Sequence, residues 1–298
     1  LVRRMPLGQQ PQQATAVGHD GRELCFWEWA SPDHPVGQIL LVHGLGEHAR
    51  RYDALADVLT DVGWRVSAYD QIGHGQSPGH RGDLPHTQAL TQDLAVVYAG
   101  WFNPALPAVV LGHSMGGLVV ADWVSGTDAP PPQQKPRGVV LSSPALGTNA
   151  NVIQRLMLAT LPKWFPHLTV ANGLNPKSIS HDAEIVERYQ SDPWVHNQIS
   201  AVLGAWITTQ GRVVQSRARN WQTPTLVQYA GDDGLVSPSA TRAFANAAPE
   251  GLLSAHCYDG AYHEIYNERP PWRDAAIQRL LQTLGEWCLG AIAESGRQ

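Results

Sequence analysis

Charged side chains are scarce in this chain, and its cations are scattered. Asp, Glu, Lys and Arg together make up 16% of the 298 residues, against roughly 25% in an average soluble protein. The 21 Lys and Arg form no run, and the formal net charge is −5, so the basic patch with which proteins bind nucleic acid is missing. We therefore expect no nucleic-acid partner and a neutral or weakly polar small-molecule substrate.

Cysteine is also rare, and long apolar runs are missing. Cys25, Cys257 and Cys288 stand alone, without the C-x-x-C spacing of a zinc ribbon or a redox pair, and we interpret them as small buried apolar residues. No stretch approaches the ~20 apolar residues that span a bilayer, and residues 1–6 lack the apolar core of a signal peptide. The default expectation is a cytoplasmic protein.

Apolar residues, in contrast, are plentiful and fall into two kinds of segment. Short runs rich in Val, Ile and Leu alternate with longer stretches of helical periodicity, which is typical of a parallel sheet with helices on both faces. Strands are predicted over 38–42, 65–69, 108–111, 138–141, 225–229 and 253–258, and helices over 52–62, 90–100, 115–124, 241–247 and 272–289. A further pair, 15–18 and 23–29, flanks Asp20-Gly21, a hairpin signal. The prediction is an α/β fold with a mostly parallel, eight-stranded sheet.

One region, residues 146–211, breaks this alternation. It contains no convincing strand, but it has helical patterns interrupted by prolines, together with Trp164, Trp194 and Trp206. We interpret it as a helical cap inserted over the carboxyl edge of the sheet, because ligands of open α/β sheets bind at that edge. The chain then divides into core (1–145), cap (146–211) and core (212–298); a separate small helical domain outside the site is the alternative.

Two stretches fit the pattern Gly-x-Ser-x-Gly, in which a serine on a strand-to-helix turn acts as a nucleophile. In such an elbow the N–H of the following residue helps to bind the oxyanion. Ser77 is followed by Pro78, which has no N–H, and no strand precedes it, so it is interpreted as a turn residue. Ser114 follows an apolar strand, opens a helix and is followed by Met115. Ser114 is therefore the candidate nucleophile.

A serine nucleophile needs a general base and an acid that orients the base. In enzymes with this elbow the chain order is serine, acid, histidine. His256 lies inside the strand 253–258, whereas His263 lies in the loop after it, from which imidazole can reach the elbow. His263 is the candidate base.

The acid is sought after the strand 225–229, where Asp232 and Asp233 stand side by side. Either can point toward His263, because both follow the carboxyl end of a parallel strand. The spacing Asp-x-Leu-Val-x-Pro starts at Asp233 and favours it, while Asp232 is the alternative. The oxyanion site needs two N–H groups; we assign them to Met115 and to Leu45, which lies in the glycine-containing loop after the strand 38–42.

Several motifs together resemble one family. They are His43-Gly44-Leu45-Gly46-Glu47-His48 with Arg51-Tyr52, Asp70-Gln71-Ile72-Gly73-His74-Gly75-Gln76-Ser77, Gly112-His113-Ser114-Met115-Gly116-Gly117, Tyr189-Gln190-Ser191-Asp192-Pro193 and Gly260-Ala261-Tyr262-His263-Glu264. In this order they resemble the monoacylglycerol lipase and lysophospholipase group of α/β-hydrolases, over roughly residues 15 to 290. The resemblance implies the α/β-hydrolase fold, the triad Ser114, Asp233 and His263, and the oxyanion donors Leu45 and Met115. It further implies that Glu47, Arg51, His113 and Tyr189 surround a glycerol headgroup.

The expected function is hydrolysis of a monoacylglycerol or a similar single-chain lipid ester, with no metal and no organic cofactor. The cap would supply a slot for the acyl chain and would rest on a membrane surface without spanning it. Alternatives with the same triad are a lysophospholipase, a general carboxylesterase, a peptidase of proline-type substrates or an acyltransferase. A hydrolase fold retained as a small-molecule receptor is the alternative from another class.

Overall fold

The computed structural model describes residues 10–126, 131–148 and 163–295. Its strands are β1 (Gln12–Val17), β2 (Glu23–Glu28), β3 (Gly37–Val42), β4 (Trp64–Tyr69), β5 (Ala108–His113), β6 (Gly138–Ser142), β7 (Thr169–Ala171), β8 (Gln198–Ser200), β9 (Thr225–Ala230) and β10 (Leu253–Tyr258). The α-helices of these ranges are α1 (Asp53–Asp61), α2 (Ala89–Trp101), α3 (Met115–Ser125), α4 (Ala183–Ser191), α5 (Ala201–Arg217), α6 (Pro238–Ala247) and α7 (Trp272–Ser295).

Eight of the strands form one sheet in the order β1-β2-β4-β3-β5-β6-β9-β10. The pairs β1–β2 and β2–β4 are antiparallel, and the other neighbouring pairs are parallel. The predicted mostly parallel, eight-stranded sheet with an antiparallel start is confirmed.

The two faces of the sheet carry separate hydrophobic cores. Along β3, Ile39 and Leu41 pack on the face that α1 and α7 cover, and Leu40 and Val42 pack on the face that α2 and α3 cover. A strand that is buried on both faces is apolar at nearly every position, which is why residues 39–42 of β3 form a continuous apolar run. The buried Gln38 side chain donates to Asn103 O at 2.6 Å. Because parallel strands end at the same edge, the loops after β3, β5, β9 and β10 meet there.

The predicted cap contains a feature that the sequence analysis missed. Two short strands, β7 and β8, pair in antiparallel fashion, so the expectation of no strand in 146–211 is wrong. Strands of three residues are shorter than the roughly four to eight residues over which a strand pattern can be recognised. The helices α4 and α5 agree with the helical patterns of this region.

The limits of the cap stay a prediction. The helix α5 runs through the predicted end at residue 211 and ends at Arg217. At Gly211 a Cβ atom would lie 2.7 Å from Leu146 O, so the glycine lets α5 pack directly on the backbone that leaves β6. Residues 149–162 of the predicted cap lie outside the described residues. No helix in the described ranges has both the length and the apolar character needed to cross a bilayer.

Candidate active site

Ser114 occupies a sharp turn between β5 and α3. Its backbone angles are φ 54° and ψ −118°, a conformation that residues other than glycine rarely adopt and that is typically retained at functional sites. The Ser114 N–H donates to Ser142 O at 2.9 Å, and Ser114 O accepts from Leu118 N–H at 3.1 Å. The hydroxyl is therefore presented at the carboxyl end of β5 and the start of a helix, which is the geometry of a nucleophile elbow.

Close packing explains the two glycines of the elbow. A Cβ atom on Gly116 would lie 2.1 Å from Val42 O and 2.4 Å from His43 O, and one on Gly112 would lie 2.4 Å from Gly116 O. These neighbours are backbone atoms of β3, of the residue that follows it and of α3, and they cannot rotate away as a side chain can. The Gly-x-Ser-x-Gly pattern is thus a steric requirement for placing α3 against the end of β3.

Gly116→Ala is expected to lower the free energy of unfolding by about 1–3 kcal/mol, since the added methyl must push α3 away from β3. Urea denaturation measures the change. Gly100→Ala is the matched control, because this exposed position in α2 has no heavy atom within 4 Å of an added Cβ; it should gain up to about 1 kcal/mol. Equal losses at the two positions would contradict the packing explanation.

The other Gly-x-Ser-x-Gly serine is bonded within its own loop. Ser77 Oγ donates to Asp70 O at 2.5 Å and accepts from Cys25 N–H at 2.9 Å. Ser77 is buried, and neither hydrogen bond of its hydroxyl involves β5 or α3. Its position agrees with the interpretation as a turn residue.

His263 and Asp233 lie against each other, at the ends of β10 and β9. His263 Nδ1 is 2.7 Å from Asp233 Oδ2. Asp233 Oδ1 accepts from Leu235 N–H at 2.9 Å and from Val236 N–H at 3.0 Å. Asp232 is exposed, so the structure brings Asp233, and not its neighbour, to the imidazole.

The pair shifts both pKa values in the direction that favours an ion pair. Burial lowers the pKa of His263, but the charge and the hydrogen bond of Asp233 raise it by more, so that it lies above its usual value. For Asp233 burial raises the pKa, while His263 and the backbone N–H groups lower it below its usual value. The ionised carboxylate accepts from Nδ1–H, which leaves Nε2 as the atom that can take a proton.

Ser114 and His263 open on the same cavity, which has a volume of about 400 Å³ and falls within the size range of small-molecule sites. No hydrogen bond joins Ser114 Oγ to His263 within the described residues; such catalytic bonds often tighten only when substrate binds. The apolar part of the described wall includes Leu45, Leu168, Val170, Leu174, Ile199 and Ile207. Apart from His263, no described lining residue has an ionisable side chain.

The assigned oxyanion donors lie beside Ser114. Leu45 and Met115 both line the cavity, and in the described part of the chain no hydrogen bond uses the N–H of either residue. Gly44, directly before Leu45, is held by its own N–H, which donates to Glu47 Oε1 at 2.6 Å. Both N–H groups are thus available for a substrate oxygen.

A buried ion network lies behind the oxyanion loop. Arg51 Nη1 donates to Glu47 Oε2 at 2.6 Å, and the same guanidinium binds Glu264 through two hydrogen bonds of 2.5 and 2.7 Å. Burial alone would raise the pKa of Glu47, but Arg51, His113 and further neighbours lower it to about 2. The Arg51 guanidinium also lies over the Tyr189 ring, 4.7 Å from its centroid. This network ties the loop after β3 to the loop that carries His263.

His113 is packed beside the same loop. Its ring centroid is 4.7 Å from that of His263, and its Nδ1 lies 3.1 Å from Ser142 Oγ. Burial and the neighbouring His263 lower the pKa of His113 to about 4, so this imidazole is neutral near pH 7.

The four residues expected around a headgroup, Glu47, Arg51, His113 and Tyr189, are therefore grouped, but none of them lines the cavity of Ser114. Their role in headgroup binding stays a prediction. Glu264 was missed, because it pairs with an arginine 213 positions away and only its place next to His263 pointed to it. Within the described ranges no three His, Cys, Asp or Glu side chains could together hold a metal ion.

The sequence and the structure are similar to those of known hydrolases. A monoacylglycerol lipase of Mycolicibacterium smegmatis is 31% identical, covering 85% of this chain and 90% of that protein. A phospholipase of Bacillus subtilis is 31% identical over 82% of this chain and 93% of that protein. An abhydrolase domain-containing protein of Dictyostelium discoideum is 28% identical over 84% of this chain, which spans 26% of its length.

Among solved structures, the monoacylglycerol lipase of Paleococcus ferrophilus superposes with a TM-score of 0.78 and 28% identity, covering 94% of this chain and 100% of the other. The family model described as serine aminopeptidase, S33, matches residues 33–270. This match covers more than half of the chain and includes the elbow and the loops of Asp233 and His263. The chain belongs to the serine aminopeptidase S33 family of α/β-hydrolases.

Proposed function

We propose that this protein hydrolyses the carboxylic ester of monoacylglycerols, releasing a fatty acid and glycerol. The observation that carries the proposal is that Ser114 and the His263–Asp233 pair open together on a cavity with largely apolar, uncharged walls. The similarity to the monoacylglycerol lipases of M. smegmatis and P. ferrophilus supports the same substrate class.

The reaction proceeds through an acyl-enzyme on Ser114. His263 Nε2 takes the hydroxyl proton while Ser114 Oγ attacks the acyl carbon, and Leu45 and Met115 N–H groups stabilise the oxyanion. The imidazolium then gives its proton to the departing glycerol oxygen. A water molecule, deprotonated by His263, attacks the acyl-enzyme, and the proton returns to Ser114 as the fatty acid leaves.

The described cavity lining favours a glycerol ester over two of the alternatives, a peptide and a lysophospholipid. A peptide with a free amino terminus calls for a carboxylate, and a lysophospholipid calls for Arg or Lys near its phosphate. The described lining offers neither, and the nearby Arg51 is already paired with two carboxylates. A glycerol ester needs only hydrogen-bonding groups, which Asn172, Thr148 and Thr208 supply on this wall.

Monoacylglycerols from acetyl to dodecanoyl are expected to show kcat/KM rising by up to about fourfold for each added methylene, until the cavity is filled. The apolar wall gains this free energy as the chain leaves water. Steady-state hydrolysis of the series measures it, with a lysophosphatidylcholine of matched chain and an aminoacyl nitroanilide as comparison substrates. A preference for the acetyl ester would indicate a general esterase, and faster cleavage of the lysophospholipid would indicate a phospholipase.

The same proposal includes docking of the cap to a lipid bilayer. Trp164 and Phe165 are 79% and 61% exposed, and contiguous exposed apolar side chains mark interaction surfaces. Leu168 and Val170 are also exposed, yet they line the cavity of Ser114. Exposed apolar side chains thus follow one another along residues 164–170 up to two that line the cavity, which suits a substrate that leaves a bilayer and enters the cavity directly.

Replacement of both Trp164 and Phe165 by Ser is expected to lower binding to phosphatidylcholine vesicles by about tenfold or more, because each buried aromatic contributes a few kcal/mol. Vesicle co-sedimentation measures the change. The control replaces Val17 and Val36 by Ser. Both are exposed apolar residues that lie outside the predicted cap. If both double variants bind the vesicles like the wild type, the cap does not dock to bilayers.

A further inference from the structure

The loop that carries His263 is held from outside by a segment of the predicted cap. His263 N–H donates to Ser178 O at 3.4 Å, and Glu264 N–H donates to Ile179 O at 2.8 Å. These bonds fix the main chain on both sides of the imidazole's Cα. Because Ser178 and Ile179 precede α4, the position of this loop depends on the segment that leads into the cap helix.

Glu268 connects the same two segments and is fully buried. Its Oε1 accepts from Tyr262 N–H at 2.8 Å and lies 2.7 Å from His181 Nδ1. Its Oε2 accepts from His181 N–H at 3.2 Å and from Arg269 N–H at 3.1 Å, and it lies 3.4 Å from Ser180 Oγ. Three backbone N–H groups and the His181 imidazole therefore converge on one buried carboxylate, while the Ser180 hydroxyl, which has a single proton, makes its shorter bond to Asn267 O at 3.0 Å.

The side chain of His181 is fixed as firmly as the carboxylate that it meets. Its ring stacks on Tyr262 with centroids 3.6 Å apart, and on Trp272 at 5.0 Å. The carboxylate of Glu268 cannot donate, so His181 Nδ1 carries the proton of their hydrogen bond. Tyr262 directly precedes His263, and its ring and its N–H are thus both held by this pair.

We propose that Glu268 and His181 are positioning residues, which hold the backbone at residues 262–264 so that His263 stays between Asp233 and Ser114. The proposal rests on the proposed function, in which His263 is the base. It makes the cap part of the catalytic geometry, since displacement of residues 178–181 moves the base. Neither residue lines the cavity, so the pair acts on the reaction only through His263.

Glu268→Gln places an amide NH₂ group opposite one of these donors, and His181→Phe keeps the stacked ring but removes the Nδ1–H. Each is expected to lower kcat on a monoacylglycerol about 10- to 100-fold, as a misplacement on the order of 1 Å does, with KM changed less than about twofold. The acid limb of the pH profile, over which kcat/KM rises with pH, is expected at lower pH than in the wild type, because His263 moves away from Asp233. The charged and titratable groups that face His263 are Asp233, Glu264, Glu47 and His113, and both variants keep them.

The control is His167→Ala, which removes another contact between cap and core, the 2.9 Å pair of His167 with Asp83, far along the chain from the His263 loop. It should leave the acid limb in place. If Glu268→Gln and His181→Phe lower the melting temperature but keep the wild-type kcat and acid limb, their role is structural only and the proposal is overturned. If Ser114→Ala retains activity, the proposed function itself has failed, and this result distinguishes its failure from failure of the positioning role. If Glu268→Gln does not fold, His181→Phe decides alone.

Discussion

Ser114→Ala is expected to lower kcat for ester hydrolysis on the order of 10⁶-fold. The alanine keeps the elbow and the cavity but removes the hydroxyl oxygen that is proposed to form the acyl-enzyme, so that His263 and the two proposed oxyanion donors lose the nucleophile that they assist. Hydrolysis of a short-chain nitrophenyl ester by the purified protein measures the loss. Labelling by a fluorophosphonate probe should disappear in parallel.

Ser77→Ala is the matched control, since Ser77 is the serine of the other Gly-x-Ser-x-Gly. Its hydroxyl makes two hydrogen bonds inside its loop, so this variant should lose about 1 kcal/mol of stability per bond but keep its label. Unchanged hydrolysis by Ser114→Ala would falsify the assignment of the nucleophile. A wild-type protein that fails to label would favour the receptor alternative over any hydrolase.

The central strands of the sheet were predictable because they are buried on both faces. The apolar runs of β3, β5, β6 and β9 have no polar face to blur the pattern, and Asp20-Gly21 marks the hairpin of β1 and β2. The strands β7 and β8 were not predictable. Each has three residues, and their pairing joins two segments that lie far apart in the sequence, which local periodicity does not encode.

The candidate site, like the fold, was predictable from the sequence only in part. The positions of Ser114, His263 and Asp233 follow from local signals: an elbow that needs two glycines, a loop after a strand, and an acid that ends the neighbouring strand. In the sequence, only the spacing Asp-x-Leu-Val-x-Pro favoured Asp233 over Asp232. In the structure the Asp233 carboxylate contacts the imidazole. Contacts between residues that lie far apart in the sequence have no such local signal.

The ion pairs of Arg51 could be predicted from the sequence only in part. Its pairing with Glu47, four residues away, is a spacing that a helical turn explains, but the second carboxylate, Glu264, comes from the far end of the chain. The resemblance placed Arg51 beside a headgroup, and the structure gives it two ion pairs and a stacked tyrosine. A guanidinium so fully paired holds the oxyanion loop and the His263 loop together, whatever its part in binding.

Asp233→Asn is expected to lower kcat about 10⁴-fold, because an amide at this position no longer fixes the proton on Nδ1 and no longer stabilises the imidazolium. The pH dependence carries a second, independent prediction. In the wild type Asp233 raises the pKa of His263 above its usual value of about 6.5, and only neutral imidazole can accept the serine proton. Hence kcat/KM should rise with pH through a midpoint above that value.

In the Asp233→Asn variant the largest contribution that raises the pKa of His263 is gone, and burial, which lowers it, is opposed only by the more distant Glu264 and Glu47. The acid limb of the residual activity should therefore move to lower pH, although the rate itself falls. The control is Asp232→Asn, an equal change of charge one residue away at an exposed position, and it should leave both the rate and the midpoint in place. A lower rate with an unchanged midpoint would mean that Asp233 supports the loop but does not act on His263. The reason is that neutralising a carboxylate 2.7 Å from the titrating imidazole must change the proton affinity of that imidazole.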